Sequence, residues 1–133
     1  MEITAVVTSS ANGHEAIVRT GGSARALSIP PKAAGRGSSV SGGEFLLLAV
    51  ATCYCNDLYR EAERLGIPLD RVEVEATAEF PGIGLAAAHI RYRATVSSPA
   101  PESVISRLLR ETDAVAEVHN TVRAGVPVSL VLP

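Results

Sequence analysis

Two stretches of the chain alternate apolar and polar residues one for one. In the first, Val72, Val74, Ala76, Ala78 and Phe80 share one side, and Glu73, Glu75, Thr77 and Glu79 share the other. In the second, Ile90, Tyr92, Ala94 and Val96 alternate with His89, Arg91, Arg93 and Thr95. A period of two is the mark of a half-buried strand. The connection Pro81-Gly82-Ile83-Gly84 predicts an antiparallel hairpin, with the acidic row facing the basic row and fixing the register. The first thirty residues read as three more strands, over 2–8, 14–20 and 24–29. Ala11-Asn12-Gly13 and Gly21-Gly22 are the turns between them, which predicts an antiparallel meander. Pro30-Pro31 ends it by removing ladder donors, and residues 32–43, rich in Gly and Ser, form a loop.

Ser41 followed by Glu44 and an apolar run matches a capping box. The helix it starts should run to about Leu65, where Gly66 and Pro68 stop it, giving a rod about 30 Å long. Residues 45–51 are apolar on every side. Such a segment needs cover all round, more than one sheet layer of a small chain supplies, so a second copy packed against it is expected: a homodimer. Beyond Tyr54 the helix turns amphipathic, with Ala51, Cys55, Leu58, Ala62 and Leu65 on one stripe. Cys55 is therefore expected in the core. Cys53 lies about 200° round the helix from it, on the side of Asp57 and Arg60, so the two side chains point apart and a disulfide between them is disfavoured. Residues 97–101 form a linker, and helices follow over 102–112 and 114–122, with Gly125 as the stop. Residues 126–132 read as a closing strand. The order β-β-β-α-β-β-α-α-β, with antiparallel neighbours, predicts an α+β fold: antiparallel sheets with a long central helix.

Composition narrows the class. A length of 133 residues fits one domain, 1–133. Fourteen acidic against twelve basic residues leave a net charge of -2, which argues against nucleic acid as a partner. No apolar run approaches the ~20 residues of a membrane span, and the N-terminus lacks the pattern of a signal peptide, so a cytoplasmic home is expected and no membrane association. Two cysteines cannot build a disulfide framework, and a reducing compartment would keep them as thiols.

Candidate chemistry centres on Cys53. It reads either as an inert buried thiol or as a reactive one, and reactivity would need a nearby cation to lower its pKa. Arg19, Arg25 and Arg36, all before the helix, are the candidates. Glu44 has two readings as well: the capping carboxylate alone, or a group that orients an arginine toward Cys53 or accepts a proton. His14, His89 and His119 are scattered without the spacing of a zinc site, so no metal and no cofactor is expected. Gly82-Ile83-Gly84 precedes no helix and is no nucleotide-binding fingerprint.

The run Glu44-Phe45-Leu46-Leu47-Leu48-Ala49-Val50-Ala51-Thr52-Cys53 resembles the helix start of the OsmC/Ohr family, the osmotically inducible and organic hydroperoxide resistance proteins, where Pro-x-Glu-Leu-Leu-Leu-Ala-Ala-Leu-x-x-Cys is typical. Val118-His119-Asn120-Thr121-Val122, followed by Val126-Pro127-Val128, is similar to the family's second landmark, Cys-Pro-Val-x-Asn-x-Leu before the last strand. The resemblance implies an intertwined α+β homodimer. It implies further that Cys53 attacks the O–O bond of a small organic hydroperoxide, releasing an alcohol and leaving a sulfenic acid, with Glu44 at the site. In the family a second cysteine resolves that acid. Here Asn120 aligned with the motif asparagine puts Ala116 at that place and Glu117 at the following proline. An external thiol would then reduce Cys53 directly. The other reading is a non-catalytic dimer that binds a small apolar ligand or serves as a stress sensor. His119, one turn from Ala116, could act on Cys53 as a base, or sit at a rim hydrogen-bonded to backbone.

Overall fold

Glycine sets the corners of the N-terminal meander. Strands β1 (Ile3–Ser10), β2 (Gly13–Thr20) and β3 (Ser23–Leu27) pair in the order β1-β2-β3, all antiparallel. The β2–β3 turn places Gly21 at φ 56°, a left-handed value that a side chain would strain. The computed structural model describes residues 1–133, and its contacts divide it into two units, Met1–Phe45 and Leu46–Pro133. In the first unit only Ala16 of the sheet is fully buried, and every residue of β1 is exposed. The loop after β3 is tied to the sheet by Gly37, whose N–H donates to the Ser9 hydroxyl at 3.0 Å.

Helix α1 (Gly42–Leu65) starts as the capping box predicts. The Ser41 N–H donates to Glu44 Oε2 at 2.7 Å, and the Glu44 N–H donates to Ser41 Oγ at 3.2 Å. Its far end is a Schellman closure. Gly66 adopts φ 68°, its N–H donates to the Glu63 carbonyl at 3.1 Å, and the Ile67 N–H donates to Ala62 at 2.8 Å.

In the second unit, β4 (Arg71–Glu79) and β5 (Ala88–Ser97) form the expected hairpin, with Val74 opposite Ala94 and Ala76 opposite Tyr92. The polar faces match as well: Glu75 faces Arg93, and their side chains meet at 2.9 Å. Helices α2 (Glu102–Val115) and α3 (Glu117–Ala124) complete the unit, with Ala116 as the single residue between them. The core is Tyr54, Leu58, Ala62, Leu108 and Ala116, flanked by Val72, Val74, Tyr92, Ala94 and Val96 from the hairpin. Leu58 and Leu108 are fully buried, each contributing about 2 kcal/mol of hydrophobic transfer.

The structure departs from the sequence reading in four places. Residues 126–132 form no strand; Val128 is 99% exposed and Leu130 86%, because no β-edge of this chain pairs with them. Phe80 leaves the inner face: the pairing shifts between Thr77 and Glu79, β4 stops, and the ring is half-exposed. Helix α2 runs three residues past the expected end, to Val115. The buried stripe of α1 is Val50, Tyr54, Leu58 and Ala62, so Cys55 is only half-buried. The stripe moved because Tyr54, the bulkiest residue in that turn, takes the core position.

Candidate functional site

Cys53 sits in the middle of α1, half-buried against the core, and Asp57 follows it one turn later on the same face. The thiol is 3.5 Å from Asp57 Oδ2. The short break at Ala116 starts α3 close by and brings Glu117 Oε2 to 3.8 Å from the same sulfur. Arg60, a further turn along α1, binds Asp57 at 2.8 Å and reaches Glu117 at 3.7 Å. The arrangement is a thiol facing two carboxylates, with the guanidinium behind them. Asp57 is buried although it is charged, a placement that only pairing makes tolerable.

This electrostatic setting is the reverse of the one the sequence reading looked for. Burial pushes the Cys53 thiol above its ordinary pKa, and the negative Asp57 and Glu117 push it further, against a lowering contribution from the Val118 backbone N–H. Burial likewise raises the Asp57 carboxyl, with Arg60 pulling back. Glu117 is held below the usual carboxylate range, first by its own backbone N–H and then by Arg60. Arg19 and Arg25 lie on β2 and β3 and Arg36 in the loop, all in the first unit. Within the second unit, the charges acting on Cys53 are the two acids.

Glu44 is committed to Ser41, and those hydrogen bonds lower its pKa. It stands nine residues before Cys53 in the sequence, in the first turn of α1. Ala116 is fully buried in the core, where it can offer only a methyl group. His119 is no rim residue. It is 5% exposed, neither ring nitrogen has a hydrogen-bond partner, and its ring packs at 4.4 Å on Tyr92 and 5.7 Å on Tyr54. Burial and the nearby Arg123 cation both lower its pKa, which keeps the imidazole neutral near pH 7.

A second network braces this layer. The Tyr92 hydroxyl donates to Asp113, which also accepts from Arg123 Nη2 at 2.5 Å. The Tyr54 hydroxyl donates to the Leu109 carbonyl at 2.7 Å, and burial pushes that phenol up to about 12. Sequence reasoning missed Asp113 and gave Glu117 no role, since the break at Ala116 that starts α3 carries no local signal of its approach to α1. The i, i+4 spacing of Cys53 and Asp57 was the readable signal.

Cys53, Asp57 and Glu117 are also the residues that could hold a cation: their ligand atoms all lie within 4.8 Å of one another. The Arg60 guanidinium already balances that charge.

The OsmC family model, described as OsmC-like protein, matches residues 35–131. The chain belongs to the OsmC-like family. Among solved structures, it is similar to an OsmC-like protein from Mycoplasma pneumoniae, with TM-score 0.65 and 21% identity over 94% of this chain and 87% of the other. An organic hydroperoxide resistance protein OsmC from Legionella pneumophila matches with TM-score 0.56 and 12% identity, over 90% of this chain and 89% of that one. An OsmC-like hydroperoxide resistance protein from Jannaschia sp. CCS1 matches with TM-score 0.54 and 13% identity, over 96% and 87%. At these identities the likeness speaks for the fold. No curated protein sequence matches the chain. The α+β architecture with antiparallel sheets is that of the OsmC-like fold. No helix is long and apolar enough to cross a membrane.

Proposed function

We propose that this OsmC-like protein reduces small organic hydroperoxides through Cys53 as its single reacting cysteine, with Asp57 as the proton carrier. The observation that carries the reading is the 3.5 Å contact between the thiol and a buried carboxylate whose own proton affinity is raised. At that distance the carboxylate can accept the thiol proton directly, which is the geometry a general base requires. Asp57 takes the Sγ proton as the sulfur attacks the terminal oxygen of ROOH. The S–O bond forms while the O–O bond breaks. Asp57 returns the proton to the departing alkoxide, which leaves as ROH, and Cys53 becomes a sulfenic acid. A small external thiol then attacks that sulfur, expelling water and forming a mixed disulfide. A second external thiol releases Cys53 and departs as the reductant's disulfide. Ala116 supplies no thiol for that task and Cys55 points away round the helix, so the reductant in this scheme is external. In this scheme Glu44 keeps the helix cap rather than touching the peroxide.

The test is trapping with dimedone after one equivalent of cumene hydroperoxide, read by mass spectrometry. An adduct confined to Cys53 and absent from Cys53→Ser supports the reading; an unlabelled protein, or label only on Cys55, rejects it.

The same acids favour a second reading, a non-catalytic dimer that binds a small apolar ligand or senses stress, because they hold the thiol protonated. An inert Cys53 in the trapping experiment would favour it. In either case a homodimer is proposed, located in the cytoplasm. It is supported by Leu48, 58% exposed on the apolar half of α1, and by the unpaired apolar segment 126–133.

A further inference from the structure

The second unit also contains a cavity of about 120 Å³ walled by Val50, Ile90, Tyr92, His119, Val122 and Arg123. We propose that it is a binding site for a small neutral molecule with a hydroxyl head and an apolar body. This inference does not depend on the chemistry of Cys53.

The head is specified by His119. Its side chain is buried to within 5% of full enclosure, and both Nδ1 and Nε2 lack a partner. Buried imidazole nitrogens without partners are uncommon, since each forfeits the hydrogen bond it had in water. A neutral imidazole offers one N–H and one lone pair, and a hydroxyl answers either. The charge is specified by the neighbours. Arg123 is already held by Asp113 at 2.5 Å and by the Asn120 side-chain oxygen Oδ1 at 3.3 Å, and the Tyr92 hydroxyl is engaged by Asp113. Asp113 already balances the Arg123 charge, which leaves little net attraction for an anion, so an uncharged ligand is preferred. The body is specified by Val50, Ile90 and Val122, which offer only methyl and methylene groups. Size follows from volume: an apolar cavity of about 150 Å³ accepts benzene, so 120 Å³ suits about six heavy atoms.

Cyclopentanol, cyclopentanone and cyclopentanecarboxylate are the probes, titrated into the full-length protein and followed by NMR shifts of the His119 ring and the Val50 and Val122 methyls. Saturable shifts with cyclopentanol at millimolar concentration are expected, with binding at least tenfold weaker for the carboxylate. His119→Phe, checked for folding by circular dichroism, removes the head contact. Val122→Phe fills the cavity and leaves His119 in place. Both should abolish the shifts. The proposal is overturned by non-saturable shifts, by equal binding of the carboxylate, or by binding that survives both variants. It is equally overturned if the cavity signals change on protein dilution without added alcohol, since a second copy's side chain would then be the occupant.

Discussion

Cys53 and its two acidic neighbours make opposite demands on two kinds of reagent. Iodoacetamide needs only the thiolate, because iodide leaves without a proton, whereas a hydroperoxide also needs its alkoxide protonated as it departs. Asp57→Asn removes a negative charge from beside the sulfur and removes the proposed proton carrier. Alkylation of Cys53 at pH 7 should therefore become several-fold faster, while reaction with cumene hydroperoxide slows by about 10²-fold. Equal changes in both rates would mean that Asp57 acts only through its charge. Because the thiol pKa is raised, wild-type alkylation should keep increasing with pH beyond the range of an ordinary cysteine, and Glu117→Gln should shift that profile downward. Cys53 was legible from the sequence through its neighbours on the helix, as was the pairing of Ser41 with Glu44. Glu117 was visible only as a departure from a motif. Its approach to the sulfur depends on a helix break some sixty residues away, which no local pattern encodes.

At the scale of elements, periodic signals carried through wherever the partner lay close in sequence. The β4–β5 hairpin formed in register because its apolar face and its charge rows agree, and α1 formed between its caps. Ser41→Ala should cost about 1 kcal/mol by removing a side-chain cap. Leu58→Ala, at a fully buried site, should cost about 2–5 kcal/mol in denaturant unfolding. Helix α3 adds a dependence on pH. His119 is buried neutral with its pKa lowered by burial and by Arg123, with Asp113 and Asp57 opposing. The unfolded chain therefore binds a proton near pH 6.5 that the folded chain resists. This contribution to stability is present above pH 6.5 and lost as pH falls through the depressed folded value. Urea midpoints measured between pH 7.5 and 5.5 should drop, and His119→Phe should flatten that slope. The sequence misread residues 126–132, because an apolar alternation announces a strand without naming its partner. Within one chain that partner is missing.

The whole molecule carries apolar surface that one chain leaves in water: Leu48 on α1, Ile83 and Leu85 after β4, and Val128 to Leu132 at the C-terminus. Sedimentation should give a species of twice 13.8 kDa at micromolar concentration, and truncation after Gly125 should weaken that association; a stable monomer would reject the dimer. Placement in the OsmC-like family rests on 35–131 and on the fold, while the chemistry rests on a site built from a different set of charges. The most direct measurement is single-turnover stopped-flow consumption of cumene hydroperoxide by wild type, Cys53→Ser and Asp57→Asn at pH 7. The proposed mechanism predicts stoichiometric consumption by wild type, none above background in Cys53→Ser, and a rate depressed about 10²-fold in Asp57→Asn. Identical traces for wild type and Cys53→Ser would contradict it.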